Sequence, residues 1–209
     1  MRTKLRQEVV LGTKGYESCA LLGGPSEFRF DVVNRDFLHL LPPGPARVLD
    51  VGSGLGQNAA CLAERGYDVV AVEPLEAFLR ASQTNYPDSE VLWVHDHLPS
   101  LSKLLLSEGR GFDFVLVDGV WHHLAPMERR SALARLYGLT RAGGHCAISL
   151  RNGPPGLGTH VFPTKISETE EQAHGLGFEL VLRIEDQPSL LPDRPRVLWS
   201  RVAFQKPKG

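Results

Sequence analysis

Short apolar runs alternate with amphipathic stretches along most of this chain. Residues 48–51 (VLDV) form an apolar run that ends in glycines, the pattern of a buried strand. Residues 57–65 (QNAACLAER) carry apolar positions at helical spacing, and Gly66 supplies a stop. The same reading predicts strands at 68–72, 91–94, 112–117, 145–150, 178–184 and 196–204. Helices are predicted at 75–82, 98–107, 127–139 and 169–176, with a further one at 31–41 closed by Pro42-Pro43.

Strands that alternate with helices imply parallel pairing through right-handed crossovers. Strands that are apolar throughout imply a sheet covered on both faces. No helical pattern separates the last two strands, so they are expected as an antiparallel pair at one sheet edge. Two segments stand outside the alternation: the glycine-rich stretch 11–28, with Tyr16 and Cys19, and the Pro/Gly-rich loop 151–165. Long loops in compact domains are often functional, so both are candidates for covering a pocket. The expectation is one domain over 1–209, with 1–45 as cap and helix and 46–209 as core.

Composition narrows the picture modestly. A length of 209 residues suits one core. The formal net charge is −1 and no Lys/Arg run occurs, which argues against a nucleic-acid partner. Three separated cysteines, with no CxxC pair, fit reduced thiols rather than a disulfide framework or a structural metal. No apolar run reaches the ~20 residues that span a bilayer, and the first residues lack a signal-peptide pattern. The chain is therefore expected in the cytoplasm, without a membrane partner.

The sharpest local signal is VLDVGSGLGQN, residues 48–58. A buried strand runs into Gly52, Gly54 and Gly56 and then directly into a helix, so the backbone turns tightly and can approach a ligand. Glu73 ends the second strand 17 residues beyond Gly56, where a carboxylate can accept both ribose hydroxyls of a nucleoside. Two cofactors fit this much. A dinucleotide site prefers G-x-G-x-x-G, but Gln57 stands where its last glycine belongs. Asp50 ahead of the loop suits a ligand carrying an ammonium group, as S-adenosylmethionine does.

With those residues in view, the chain resembles the class I methyltransferase family over nearly its whole length. VLDVGSGLG is similar to that family's first motif, and AVEP (71–74) to its second. VHDHL (94–98) is similar to the segment whose acidic residue, here Asp96, meets the adenine amino group. FDFVLVDGVWHHL (112–124) and RAGGHCAISL (141–150) resemble the fourth- and fifth-strand motifs. WHHLAP (121–126) and SLRNGP (149–154) place the resemblance among bacterial members of the family.

The resemblance implies a Rossmann-like α/β fold: a seven-stranded, mostly parallel sheet in the order 3-2-1-4-5-7-6, last strand antiparallel, with helices on both faces. It implies S-adenosylmethionine as cofactor and S-adenosylhomocysteine as product. The expected cofactor residues are Asp50, Gly52, Ser53, Gly54, Gly56, Asn58, Glu73, Pro74, Asp96, His97, Asp118 and Trp121.

Methyl transfer from a sulfonium is an in-line displacement, so positioning supplies much of the acceleration. His122, His123 and Asp118 follow the fourth strand and are the candidate catalytic groups; histidine titrates in the range a base needs. Tyr16, His123 and Arg151 are the candidate substrate contacts, with Arg151 able to take an acidic group bidentately. His95, Asp96 and His97 superficially resemble a metal cluster. In a strand, however, the histidines face away from Asp96, and no metal is expected.

No Asn-Pro-Pro-Tyr-type segment follows the fourth strand, and no target-recognition domain is evident, so a small-molecule acceptor with an O, N or S nucleophile is expected. Methylation of a peptide or protein, a non-catalytic cofactor-binding role, and a nicotinamide-dependent oxidoreductase are the alternatives. Apolar patches around the sheet edge leave a homodimer open.

Overall fold

The computed structural model describes residues 29–105, 110–155, 161–190 and 196–209. Its centre is a seven-stranded sheet in the order β3-β2-β1-β4-β5-β7-β6. The strands are β1 (Arg47–Val51), β2 (Asp68–Glu73), β3 (Leu92–His95), β4 (Phe112–Val117), β5 (Thr140–Asn152), β6 (Glu179–Pro188) and β7 (Leu198–Gln205). β1 pairs parallel with β2 and β4, and β2–β3 and β4–β5 are parallel as well. β7 runs antiparallel to both β5 and β6. The predicted order and the antiparallel edge are both observed.

Alternation along the strands divides the core into two layers. Leu49, Val51, Val70, Val72, Val115 and Val117 face one side, under α4 (Pro126–Leu139) and α5 (Ile166–Gly175). Val48, Val69, Ala71, Phe114 and Leu116 face the other, against Phe30, Phe37 and α2 (Gln57–Glu64). Helices therefore seal both faces, as continuously apolar strands require. The C-terminal strand ends remain free to build a site.

Two helix expectations are corrected. Over 98–105 the described backbone forms turns, not a helix. Leu101 N–H makes a single i→i−4 bond to His97 O, but Asp96 Oδ2 then captures the Lys103 N–H at 2.7 Å, so the ladder does not continue. The helix expected over 31–41 breaks at Asn34 into α1 (Phe30–Val33) and a 3₁₀ segment (Arg35–Leu40). The break coincides with the Asn34 side chain turning inward to bond Asp118 and Asn58. The stretch 11–28, with Tyr16 and Cys19, lies outside the described residues.

Candidate active site

The glycine loop leaves β1 and enters α2. Gly52 N–H and Ser53 N–H both donate to Val72 O, fastening the loop to the end of β2. Gly52 has φ +73°, and a Cβ there would lie 2.2 Å from Val120 Cγ2, so no side chain fits. Gly56 serves packing instead: a Cβ there would meet Trp93 at 2.7 Å and Ser82 at 3.0 Å. Ser82, buried on α3 (Glu76–Asn85), donates its hydroxyl to Gly54 O at 2.9 Å and holds the loop from below.

Beside this loop a cleft opens, lined among others by Gly52, Gly54, Glu73, Pro74, Asp96, His97 and His123. Its apolar walls come from Leu75, Phe78, Leu98, Val120 and Leu124. Glu73 Oε2 accepts the Gly54 N–H and Oε1 the Leu75 N–H, each at 2.9 Å. Burial pushes the Glu73 carboxyl up to about 7, against the pull of those two amides. Asp96 accepts His97 N–H at Oδ1, 2.8 Å, and Lys103 N–H at Oδ2, which fixes its carboxylate at the cleft.

Asp50 lies beneath the loop, almost fully buried, and its Oδ2 has no hydrogen-bond partner among the described residues. Burial, reinforced by the charges of Asp118 and Glu73, pushes its carboxyl up to about 8. Ser53 is likewise buried with an unpartnered hydroxyl. A buried carboxylate oxygen without a donor costs free energy, and a ligand cation would relieve it.

The remaining predicted residues divide between core and a second cleft. Trp121 is fully buried in the hydrophobic layer under α4 and does not line the first cleft, so it acts as a core anchor. Asn58 and Asp118 line a second cleft with Val33, Gln57, Pro188, Ser189, Leu190, Trp199 and Arg201. Asp118 is held from three elements. Ser149 Oγ donates to Oδ1 at 2.6 Å, while Asn34 and Asn58 amides donate to Oδ2 at 3.0 and 3.2 Å.

The two histidines differ sharply. His123 lines the first cleft, while His122 is buried against it, ring centroids 4.1 Å apart, and meets Trp199 edge-on at 6.1 Å. Burial, together with the charges of His123, Arg151 and Arg129, pushes the His122 imidazole down to about 2. That ring stays neutral and is a weak proton acceptor near pH 7. Arg151 donates to Pro154 O at 2.7 Å and so braces its own loop. Arg129 reaches the same region from α4, donating to Pro163 O at 2.9 Å.

His95 and His97 turn to backbone carbonyls, Pro74 O and Leu98 O respectively, each at 2.8 Å. Among the described residues no group of three or more His, Cys, Asp or Glu side chains could hold a metal ion, and no helix is long and apolar enough to cross a membrane.

Sequence reading missed Ser82, Trp93, Trp199, Arg201 and Asn34. None sits in a recognisable motif; each reaches its site only through tertiary packing.

Comparison with known proteins agrees with this geometry. Residues 49–148 match the family model described as a methyltransferase domain. An uncharacterized methyltransferase of Mycobacterium tuberculosis is 37% identical over 122 residues, 54% of this chain and 58% of that protein. The chain thus spans little more than half the length of the mycobacterial relatives it matches. A TehB-like SAM-dependent methyltransferase from Corynebacterium glutamicum is similar in structure, with TM-score 0.63, 22% identity and coverage of 91% of this chain and 94% of that one. The Burkholderia thailandensis 1,6-didemethyltoxoflavin-N1-methyltransferase, solved with 1,6-didemethyltoxoflavin and S-adenosylhomocysteine bound, is 25% identical with TM-score 0.60, covering 78% of this chain and 72% of that one. The strand order, the glycine loop and these matches agree: residues 49–148 match a methyltransferase domain, and the fold is shared with SAM-dependent methyltransferases of known structure.

Proposed function

We propose that this protein transfers a methyl group from S-adenosylmethionine to a nucleophile on a small molecule. The observation that carries the reading is the first cleft, where the turn through Gly52 and Gly54 faces the doubly anchored Glu73 carboxylate. In this reading Glu73 takes the ribose hydroxyls, using oxygen lone pairs beyond those given to Gly54 and Leu75. Asp96 and His97 border the adenine, and Leu75, Phe78, Leu98 and Leu124 cover its faces. The orphaned Asp50 Oδ2 beneath the loop suits the ammonium end of the amino-acid moiety. When bound, the cofactor supplies an electrophilic methyl on a sulfonium.

The chain's own contribution is then positioning. The ends of β4 and β5 hold the acceptor in line, and His123 is the histidine placed to receive a proton where the nucleophile carries one. His122 supports His123 by ring contact rather than by titrating. A small acceptor is supported by the B. thailandensis enzyme, whose bound partner is a small molecule.

Calorimetric titration with S-adenosylhomocysteine, with NADH in parallel, tests the reading. Saturable binding at about micromolar affinity for the first ligand alone is expected. Binding of NADH alone, or of neither ligand, would overturn it.

A further inference from the structure

The second cleft carries chemistry that the cofactor reading does not use. Its apolar wall comes from Val33, Pro188, Leu190 and Trp199, and its deepest charged group is Arg201 on β7. Arg201 is nine-tenths buried, yet its Nε has no hydrogen-bond acceptor among the described residues. One Nη donates to Val33 O at 2.9 Å. Asp36 Oδ2 is ion-paired with this same Nε at 3.4 Å, outside hydrogen-bond geometry, and the Asp36 side chain is more exposed, 27% against 11%.

The other acid on this cleft, Asp118, already accepts from Ser149, Asn34 and Asn58. Asp118 is therefore occupied by three hydrogen bonds within the protein, whereas Arg201, ion-paired with the more exposed Asp36, lacks a hydrogen bond at Nε among the described residues. A buried guanidinium prefers a planar oxyanion that takes two of its N–H groups at once.

The two clefts share a wall. Asp118 lines the second, and the next residues, Gly119 and Val120, line the first. Gly119 has φ +69°, and a Cβ there would stand 4.0 Å from Trp199 Cη2. Only a glycine backbone thus separates the cofactor side from the indole on the other side.

Resting on the function proposed above, we infer that the second cleft is the acceptor site. It takes a small molecule with an apolar body and a carboxylate or similar oxyanion, anchored at Arg201. The nucleophile then sits toward Gly119, where the two clefts meet.

Quenching of tryptophan fluorescence tests this on the S-adenosylhomocysteine-loaded protein, with three ring probes of equal size: phenylacetate, 2-phenylethanol and phenethylamine. Phenylacetate is expected to bind at least about tenfold tighter than the other two, the usual reach of a charge-assisted hydrogen bond. Trp199→Phe should remove most of the quench. Arg201→Met should weaken phenylacetate by about tenfold.

Because Arg201 also braces Val33, a second variant guards against a folding artefact. Leu190→Glu, at an exposed position on the cleft rim, should weaken phenylacetate and spare the amine. S-adenosylhomocysteine affinity should stay unchanged in both variants. Equal binding of all three probes, preference for the amine, or no binding of any probe overturns the acceptor assignment. Failure of S-adenosylhomocysteine itself to bind overturns instead the reading beneath it.

Discussion

The two clefts at the C-terminal edge of the sheet are built by opposite means. The first is made largely by one stretch of backbone. Gly52, Gly54 and the β2 end lie close in sequence, and their geometry is fixed by main-chain N–H groups that donate to Val72 O and to the Glu73 carboxylate. The second is assembled from side chains that are far apart in sequence: Val33, Asn58, Asp118, Trp199 and Arg201. Its parts are joined by long-range polar contacts such as Asn34–Asp118 and Arg201–Val33. A backbone-built site tolerates no added atom, whereas a side-chain-built site tolerates change but depends on its buried bonds. A shared cofactor asks for the first kind and a variable acceptor for the second.

Gly52→Ala is the strongest way to challenge that contrast. The substitution puts a Cβ at φ +73° and within 2.2 Å of Val120 Cγ2. Strain of about 1–3 kcal/mol adds to displacement of Val120 into the cleft. S-adenosylhomocysteine affinity should fall by about 100-fold by calorimetry, with far-ultraviolet circular dichroism unchanged. Retained affinity would mean that the loop is less rigid than its hydrogen bonds indicate.

Asp118→Asn acts on the other region. The new amide would set a donor against at least one of its present donors, Ser149, Asn34 and Asn58. A loss of about 2 kcal/mol in unfolding free energy is expected, with faster amide exchange across residues 30–40. The same variant should cost S-adenosylhomocysteine much less affinity than Gly52→Ala does. If it abolishes cofactor binding equally, the two clefts act as one unit and the contrast fails.

The same contrast explains what sequence could show. Strand positions and the glycine loop were legible because apolar runs and glycine spacing are local signals that the fold preserves, from VLDV at β1 to FDFVLV at β4, whereas the strand order came from the family resemblance. Glu73, Pro74, Asp96, His97 and His123 do border the first cleft. Trp121 was expected at the cofactor and sits in the core, since aromaticity alone does not say which way a 3₁₀ turn points it. Arg201 reads in sequence as an ordinary alternating residue of the last strand. Asn34 sits in what reads as an amphipathic helix, and only its inward turn at the α1 end reveals its partners. His122 and His123 are indistinguishable in sequence, and only their placement separates them, His123 lining the first cleft and His122 packing against Trp199.

The smallest effect concerns the one charged group beneath the backbone-built cleft. In the unfolded chain Asp50 titrates near an ordinary aspartate, about 3.9, whereas in the folded protein its carboxyl is pushed up to about 8. Below the first value both states hold the proton and burial costs nothing. As pH rises between the two, the unfolded chain releases the proton while the folded protein keeps it, so stability declines across that window and levels off above it. Glu73 acts in the same direction, with its window closing at about 7. Asp50→Asn removes the larger of the two contributions. The ligand-free variant should therefore lose less stability between pH 7 and pH 8 than the parent, about 1 kcal/mol less. At pH 8 it should denature at higher urea. It should also bind S-adenosylhomocysteine more weakly, because the ammonium loses the carboxylate that stands ready for it. An unchanged pH slope would show that Asp50 is already ionised in the folded protein, so that the loop rests above a waiting negative charge.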